Sequence, residues 1–215
     1  MRDRALIAFV ILTGARDGAV ASAKIKHIDL ADHSFYQDAR DVNTKFSKTF
    51  TTYFFPVGEL PHKILADWID YLVTELGYKQ NSPLFPKTKL AHDANQQFEA
   101  VGLLEEHWSN ANPIRKIFAQ AFALAGLPYF NPHSFRNTLV RLGEKLCQTP
   151  EEFKAWSQNL GHESVLTSFY SYGDVPDYKQ AELLRKLSKP AQNTSHDMEE
   201  QFKQFIQFQQ MKGNI

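Results

Sequence analysis

The segment from residue 3 to residue 14 constrains the fold most strongly, because it is apolar around its whole circumference. Residues 5–12 place aliphatic and aromatic side chains, such as Leu6, Phe9 and Leu12, at every helical angle. A helix of this kind is stable in a globular protein only when other elements surround it. The segment therefore predicts a buried helix at residues 3–14, followed by a turn at residues 13–16. It is too short to cross a membrane.

Composition limits the class of protein. Hydrophobic residues make up 43% and charged residues 22% of the 215 residues, as in ordinary soluble globular proteins. The stretch after residue 12 lacks the small-residue cleavage site of a signal peptide. The single cysteine, Cys147, excludes an internal disulfide and an all-cysteine metal site. We therefore expect a cytoplasmic protein with no membrane partner, associated with the nucleoid if it acts on DNA.

The periodicity of the remaining chain predicts a mainly helical α+β protein with a small antiparallel sheet. Three short runs rich in β-branched and aromatic residues indicate strands, and a polar stretch at 43–48 predicts a hairpin tip. Thr149, Pro150 and Glu152 together form a strong helix start. Residues 79–110 are polar and without clear periodicity, so we interpret them as an irregular surface insertion. The predicted strands are 28–30, 34–37 and 51–55, and the predicted further helices are 17–25, 61–76, 113–124, 133–146, 150–160, 164–172, 177–188 and 198–211.

The distribution of charge is more informative than its sum. The net charge is zero. Residues 109–148, however, carry five arginines and lysines against one glutamate, a balance of +4, whereas residues 91–107 carry four acidic residues and no lysine or arginine. A local basic surface can bind phosphates even on a neutral protein, since the field is short-ranged in salt.

Four polar motifs recur at the ends of predicted elements. Arg16 follows the turn after the first helix, and His133 and Arg136 lie three residues apart on one helical face. His162 follows Leu160-Gly161 at a helix stop, and Tyr172 precedes Gly173 ten residues later. Each motif alone is weak, so their order along the chain carries the information.

This order resembles the catalytic domain of the tyrosine recombinases, the phage-integrase family. Its pattern is an arginine, a hairpin lysine, His-x-x-Arg, Leu-Gly-His and a tyrosine, and the matches span residues 13–173. The resemblance implies a site-specific recombinase that cuts and rejoins DNA through a 3′-phosphotyrosine. It needs no metal, no ATP and no other cofactor. The residues that it implies as catalytic are Arg16, Lys45, His133, Arg136, His162 and Tyr172.

Several assignments leave an alternative open. The Thr44-Lys45 dipeptide favours Lys45 as the hairpin lysine, whereas counting back from Pro56 favours Lys48. Tyr170 and Tyr172 lie eight and ten residues after His162, whereas the family's usual spacing is nine. Helical geometry points these two tyrosines about 160° apart, and we favour Tyr172 because it lies directly before a glycine.

Three further alternatives concern the arginine and histidine motifs. Arg16 could cap the first helix or pair with Asp17, and His133 could cap its own helix. The sequence after Arg16, Asp17-Gly18-Ala19, departs from the hydrophobic–Ser/Thr–Glu stretch usual in the family. That departure suggests a subgroup and puts the local support of Arg16 in doubt.

The expected partner is double-stranded DNA. We expect a homotetramer on synapsed DNA and a monomer or weak oligomer when the protein is free of DNA. We expect a catalytic domain at 1–188, then a linker and C-terminal helix at 189–215 that docks on a neighbouring protomer or packs back on its own domain. The family implies a further DNA-binding domain before residue 1. Two other functions fit the same residues: a type IB topoisomerase-like nicking-closing enzyme, and a non-catalytic DNA-binding remnant.

Overall fold

The computed structural model describes residues 1–92, 97–162 and 177–187, and the chain divides into two compact units, Met1–Ser171 and Tyr172–Ile215. Helix α1, Arg2–Thr13, lies at the centre of the first unit and packs against two other helices. Leu6, Phe9 and Leu12 on this helix are fully buried. The prediction of a buried helix at residues 3–14 is therefore confirmed. Its apolar circumference contacts elements on all sides, including the aromatic rings of Phe35 and Phe85.

A three-stranded antiparallel sheet lies beside α1, in the order β1 (Ile28–Asp29), β2 (Ser34–Gln37) and β3 (Phe50–Tyr53). Strands β2 and β3 pair over their whole length, from Ser34 opposite Tyr53 to Gln37 opposite Phe50. Short helices flank the sheet: α2, Asp17–Ser22, and two single-turn 3-10 helices, Ile25–His27 and Lys45–Ser47. The second of these forms part of the long connection between β2 and β3, where the sequence predicts the hairpin tip.

The described residues of the first unit contain four longer helices: α3 (Glu59–Thr74), α4 (Asn112–Leu124), α5 (Ser134–Leu146) and α6 (Pro150–Asn159). Helix α6 begins as predicted, because the Thr149 hydroxyl accepts from the Glu152 amide while the Glu152 carboxylate accepts from the Thr149 amide. Phe55, Leu139 and Leu160 form a second, smaller hydrophobic cluster that joins α5 and α6 to the segment after β3.

The interpretation of residues 79–110 as irregular is wrong for 13 of those 32 residues, which form two strands. Strands β4 (Lys87–His92) and β5 (Phe98–Leu104) form a second antiparallel hairpin with a register shift at Lys89/Leu90. Sequence periodicity missed it because neither face is buried, so polar and apolar side chains do not alternate along the strands. Leu90, Phe98 and Val101 remain largely exposed.

Helix α7, Asp177–Leu187, belongs to the second unit and matches the helix predicted at 177–188. Within the described ranges, no helix is long and apolar enough to cross a bilayer. The predicted helices at 164–172 and 198–211 lie outside the described residues. The boundary placed between residues 188 and 189 stays a prediction.

Candidate functional site

The turn that carries Arg16 is set by a close approach of three elements. Gly14 ends α1 in the left-handed region, at φ 59°. A Cβ atom at Gly14 would lie 2.8 Å from Leu160 Cδ2 and 3.0 Å from Leu139 Cδ1, so only glycine fits between α5 and the end of α6. The chain then leaves the turn in extended conformation, with Arg16 as the residue before α2.

Arg136 ties this turn to the end of α6. The side chain is only 4% exposed. Its Nη1 donates to the Gly14 carbonyl, and its Nη2 donates to the Leu160 carbonyl at 2.6 Å. One guanidinium on α5 therefore joins the segment before Arg16 to the segment before His162. The sequence motif identifies Arg136 as functional but contains no sign of this bridging position.

His162 stands on a second glycine turn, which closes α6. Gly161 has φ 70°, and a Cβ atom there would lie 2.8 Å from Phe50 Cζ on β3. The amide of His162 donates to the Ser157 carbonyl at 3.2 Å. Because Gly161 touches the start of β3, the position of His162 is coupled to the hairpin formed by β2 and β3.

The connection between β2 and β3 carries both candidate lysines, Lys45 and Lys48. Its first residues are held by ion pairs: Asp41 accepts from Lys24 at 2.6 Å, and its other oxygen lies 2.5 Å from Lys26 Nζ. These two lysines hold the pKa of Asp41 well below its usual range. Sequence analysis did not single out Asp41, because its partners lie 15 and more residues away without a recognisable spacing.

Four of the predicted catalytic or alternative residues meet around one cleft of about 530 Å³. Arg16, Lys45, Lys48 and His162 come from three separate segments of the chain, and Gln158 on α6 adds an amide. A larger open groove of about 670 Å³ lies between β3 and α6 and contains none of the predicted residues. The full lining of the smaller cleft, which we call the cationic cleft, is Arg16, Lys45, Phe46, Lys48, Thr49, Phe50, Gln158, Gly161 and His162.

Burial and mutual repulsion lower the pKa values of His162 in the cationic cleft and of Arg136 and His133, whose charges interact with Arg16. Burial, reinforced by the charge of Arg16, lowers the pKa of Arg136 to about 9, which still leaves it protonated at neutral pH. Burial, then Arg136, Arg16 and His133, lower the pKa of His162 to about 4. Desolvation and the same two arginines also lower the pKa of His133. Both imidazoles are therefore neutral at pH 7 and available as proton acceptors.

Arg16 is half-buried, and burial lowers its pKa. The two structural roles that the sequence left open for Arg16 are not observed among the described residues. Its guanidinium neither caps α1 nor pairs with Asp17. Asp17 instead pairs with Arg115 at 3.2 Å. His133 precedes α5 without a side-chain capping bond, so its imidazole is not used as a cap either.

The structure thus brings together Arg16, Lys45 and His162, with Arg136 directly behind them. It does not separate Lys45 from Lys48, because both line the cationic cleft. Tyr170 and Tyr172 lie outside the described residues, so the nucleophile stays a prediction. Among the described residues, no three histidine, cysteine or acidic side chains are grouped so that they could hold a metal ion.

Comparison with solved structures identifies the fold. The crystal structure of XerA recombinase matches with a TM-score of 0.56 and 20% identity, covering 87% of this chain and 56% of XerA. The Tn1549 transposon integrase, in complex with circular intermediate DNA, matches at a TM-score of 0.49 and 14% identity, covering 86% of this chain and 59% of the integrase. This chain therefore spans little more than half the length of either structure.

The fold-class prediction is confirmed: the domain is α+β, mainly helical, and similar to tyrosine recombinase catalytic domains. No protein-family model matches the sequence. No curated protein matches it either. At this level of identity the likeness shows the fold, and the chemistry has to be argued from the cationic cleft itself.

Proposed function

We propose that this chain is the catalytic domain of a site-specific DNA recombinase that cleaves and rejoins DNA through a 3′-phosphotyrosine. The observation that carries the proposal is the position of Arg16. Its guanidinium is half-buried at the wall of the cationic cleft, and no hydrogen bond or ion pair engages it among the described residues. A charged group in that position is stabilised by an anion from outside, and a guanidinium matches the two non-bridging oxygens of a phosphodiester.

The surrounding charges suit a nucleic acid backbone rather than a small acidic ligand. Lys45 and Lys48 extend the positive surface beyond Arg16 along an exposed loop, and Arg136 adds charge from behind. Among the described residues, Asp38 pairs with Arg40, and Asp41 pairs with Lys24 and Lys26. The cationic cleft therefore keeps a net positive field for phosphates.

The proposed step is an in-line transfer of the phosphoryl group. The hydroxyl oxygen of Tyr172 attacks the phosphorus, its proton passes to neutral His133, and the bond from phosphorus to the 5′ oxygen breaks. Lys45 gives its proton to that departing oxygen, which leaves as a 5′-hydroxyl. Arg16 and Arg136 stabilise the negative charge on the non-bridging oxygens, and His162 donates a hydrogen bond to one of them. The reverse step rejoins the strand without ATP, because the phosphotyrosine conserves the energy of the phosphodiester.

Low histidine pKa values support this division of roles. A protonated His133 could not accept the tyrosine proton, and burial, together with the charges of Arg136 and Arg16, lowers its pKa. Neutral His162 donates one N–H to the phosphate without adding a second charge beside Arg136. A bound phosphate would raise the pKa of both guanidiniums, because a nearby anion favours the charged form that burial disfavours.

The proposal is tested with nicked suicide duplexes of randomised sequence. Cleavage next to the nick releases a short 5′-hydroxyl fragment, so the enzyme is trapped as a covalent DNA adduct that resists SDS. We expect adducts in excess EDTA, because the proposed step uses no metal ion. An absolute requirement for Mg²⁺, or a free phosphate end without adduct, would contradict the mechanism and favour a metal nuclease.

The nucleophile is tested in the same assay. Tyr172→Phe removes one hydroxyl and should abolish the adduct while DNA binding persists, whereas Tyr170→Phe should keep most of it. The reverse result would move the register by two residues and leave the chemistry intact. An adduct lost in neither variant would assign the nucleophile to another side chain.

Recombination is distinguished from relaxation by a second substrate. Two copies of a cleavage site found with the suicide duplexes are placed on one plasmid, and a recombinase should exchange the DNA strands between them. Relaxation of the plasmid without strand exchange would favour the topoisomerase-like alternative.

Assembly on DNA is measured by sedimentation. Deletion of residues 196–215 should spare cleavage of a half-site and weaken the proposed tetramer, if that segment links protomers.

A further inference from the structure

Phe46 lines the cationic cleft with a strained backbone conformation and an exposed side chain. Its backbone lies in the left-handed region at φ 61°, and Ser47 follows at φ 50°. Bulky residues without a flexible backbone rarely adopt this conformation, because the Cβ atom crowds the following carbonyl. The Phe46 side chain is also 70% exposed and belongs to neither hydrophobic cluster.

Neither the backbone strain of Phe46 nor the exposure of its ring is offset by packing within the described part of the chain. A strained aromatic residue is usually retained because its ring fills a core, but the main contact of this ring is its own neighbour. Lys45 Nζ lies 4.7 Å from the ring centroid of Phe46, an exposed cation–π contact. Strain that persists without internal compensation is typical of positions that contact a ligand.

The composition of the cationic cleft indicates which ligand. Arg16, Lys45 and Lys48 surround the ring with positive charge, and such cations bind phosphates. An exposed aromatic ring among them adds a flat apolar face, which suits the sugar and base between two phosphates. Aromatic rings interleaved with cations are the common pattern of nucleic-acid surfaces, whereas a small anion would leave the ring without a partner.

We propose that Phe46 is a DNA-contacting residue whose ring packs against the sugar and base next to the phosphate held by Arg16. The proposal rests on the proposed function for its ligand and adds a residue that the catalytic pattern does not contain. In the free protein the Lys45 ammonium lies over the Phe46 ring. When DNA binds, Lys45 turns to the phosphate group, and the exposed face of Phe46 receives the nucleotide.

Binding of a labelled, nicked duplex of fixed sequence, followed by fluorescence anisotropy over a range of NaCl, tests the contact. Loss of one aromatic stacking contact should raise Kd about fivefold or more in Phe46→Leu. The slope of log Kd against log salt should stay unchanged, because no cation is lost, whereas Lys45→Met should reduce that slope. Phe46→Tyr should bind like the wild type. Phe98→Leu, at an equally exposed phenylalanine on β5, is the matched control and should change neither quantity.

Phe46→Gly separates ligand contact from a structural role. Glycine relieves the left-handed strain, so Tm should stay unchanged or rise while DNA affinity falls. A structural role would lower Tm together with affinity, and that result would overturn the proposal. Equal Kd values for Phe46→Leu and Phe98→Leu would overturn it too.

Failure of this inference is distinguishable from failure of the proposed function. A wild-type protein that binds the duplex but forms no adduct would reject the recombinase chemistry, and the binding comparison would still decide the role of Phe46. A wild-type protein that does not bind the duplex at all would overturn both.

Discussion

The two β-hairpins of this domain differ in what holds them. The hairpin of β2 and β3 is fastened along its outer edge: Asn159 accepts from the Tyr53 amide at 2.7 Å and donates to the Tyr53 carbonyl at 2.8 Å. The Phe55 amide just beyond it donates to the Leu12 carbonyl at 2.7 Å. Among the described residues, the hairpin of β4 and β5 is anchored near its base, where Arg2 donates to the Pro86 carbonyl and the Thr88 hydroxyl, and Lys87 pairs with Glu106.

This difference explains why one hairpin forms part of the cationic cleft and the other does not. Asn159 lies two residues before Gly161, so the same end of α6 that carries His162 also holds the edge of β3. The end of α6 therefore fixes the position of His162 relative to the hairpin that carries Lys45. Such a connection holds in place two groups that, in the proposed function, act on one phosphate. Among the described residues, none of the hairpin of β4 and β5 lines the cationic cleft, and both faces of that hairpin are largely exposed.

The largest effect should follow from Gly161→Ala. A Cβ atom there would lie 2.8 Å from Phe50 Cζ, at a φ of 70° that disfavours alanine. We expect the free energy of unfolding to fall by about 2–3 kcal/mol, part from strain and part from displacing Phe50. Gly77→Ala, at φ 67° with no atom within 4 Å, is the control and should cost only about 1 kcal/mol in urea denaturation. Equal losses in the free energy of unfolding for the two variants would show that Phe50 can move away from the added Cβ atom at little cost.

Removal of the edge contact should have the next largest effect. Asn159→Ala deletes both side-chain hydrogen bonds to Tyr53, which should lower the free energy of unfolding by about 1–2 kcal/mol. The rate of adduct formation should fall further than stability explains, because the loop with Lys45 loses its fixed relation to His162. Asn159→Asp keeps the acceptor for the Tyr53 amide and should lie between the two proteins. Full adduct rate in Asn159→Ala would separate the hairpin from catalysis.

A smaller, pH-dependent effect should come from His162. Its pKa falls from 6.5 to about 4 on folding, through burial, Arg136, Arg16 and His133. The unfolded chain therefore binds the proton first as pH falls, so this contribution is present above pH 6.5 and is lost as the pH falls towards 4. We expect about 1 kcal/mol, given solvent screening at a partly exposed ring. His162→Asn should flatten the stability profile in that window.

The cause of this shift can be checked directly. Arg16→Met removes one of the two cations, so the NMR titration of His162 should move to higher pH than in the wild type. An unchanged titration would place Arg16 too far from His162 to share a phosphate with it.

The smallest effect should come from the second hairpin. The Lys87–Glu106 ion pair spans 2.9 Å, with side chains 34% and 57% exposed. Exposed pairs of this kind contribute less than about 0.5 kcal/mol, so Lys87→Met should leave both stability and adduct formation nearly unchanged. A double-mutant cycle with Glu106→Gln measures the pair alone. A coupling as large as the effect of Asn159→Ala would remove the contrast between the hairpins.

Local signals in the sequence predicted much of this fold. The all-round apolar segment at 5–12 required burial, and the Thr149–Glu152 capping box started α6, because both depend only on neighbouring residues. The hairpin of β4 and β5 escaped prediction, since strands without a buried face lack alternation. The order of Arg16, His133, Arg136 and His162 was enough to name the candidate site but not to show how it is held.

The sequence by itself determined which residues are candidates, because residue type and order along the chain are properties of the sequence. Tertiary structure alone decided that Arg136 bridges the carbonyls of Gly14 and Leu160, across separations of 122 and 24 residues. Every residue offers a backbone carbonyl, so no sequence pattern marks which carbonyl a buried guanidinium will reach. The low pKa of His162 also depends on tertiary structure, since its burial and its distances to Arg136 and Arg16 are set only by folding.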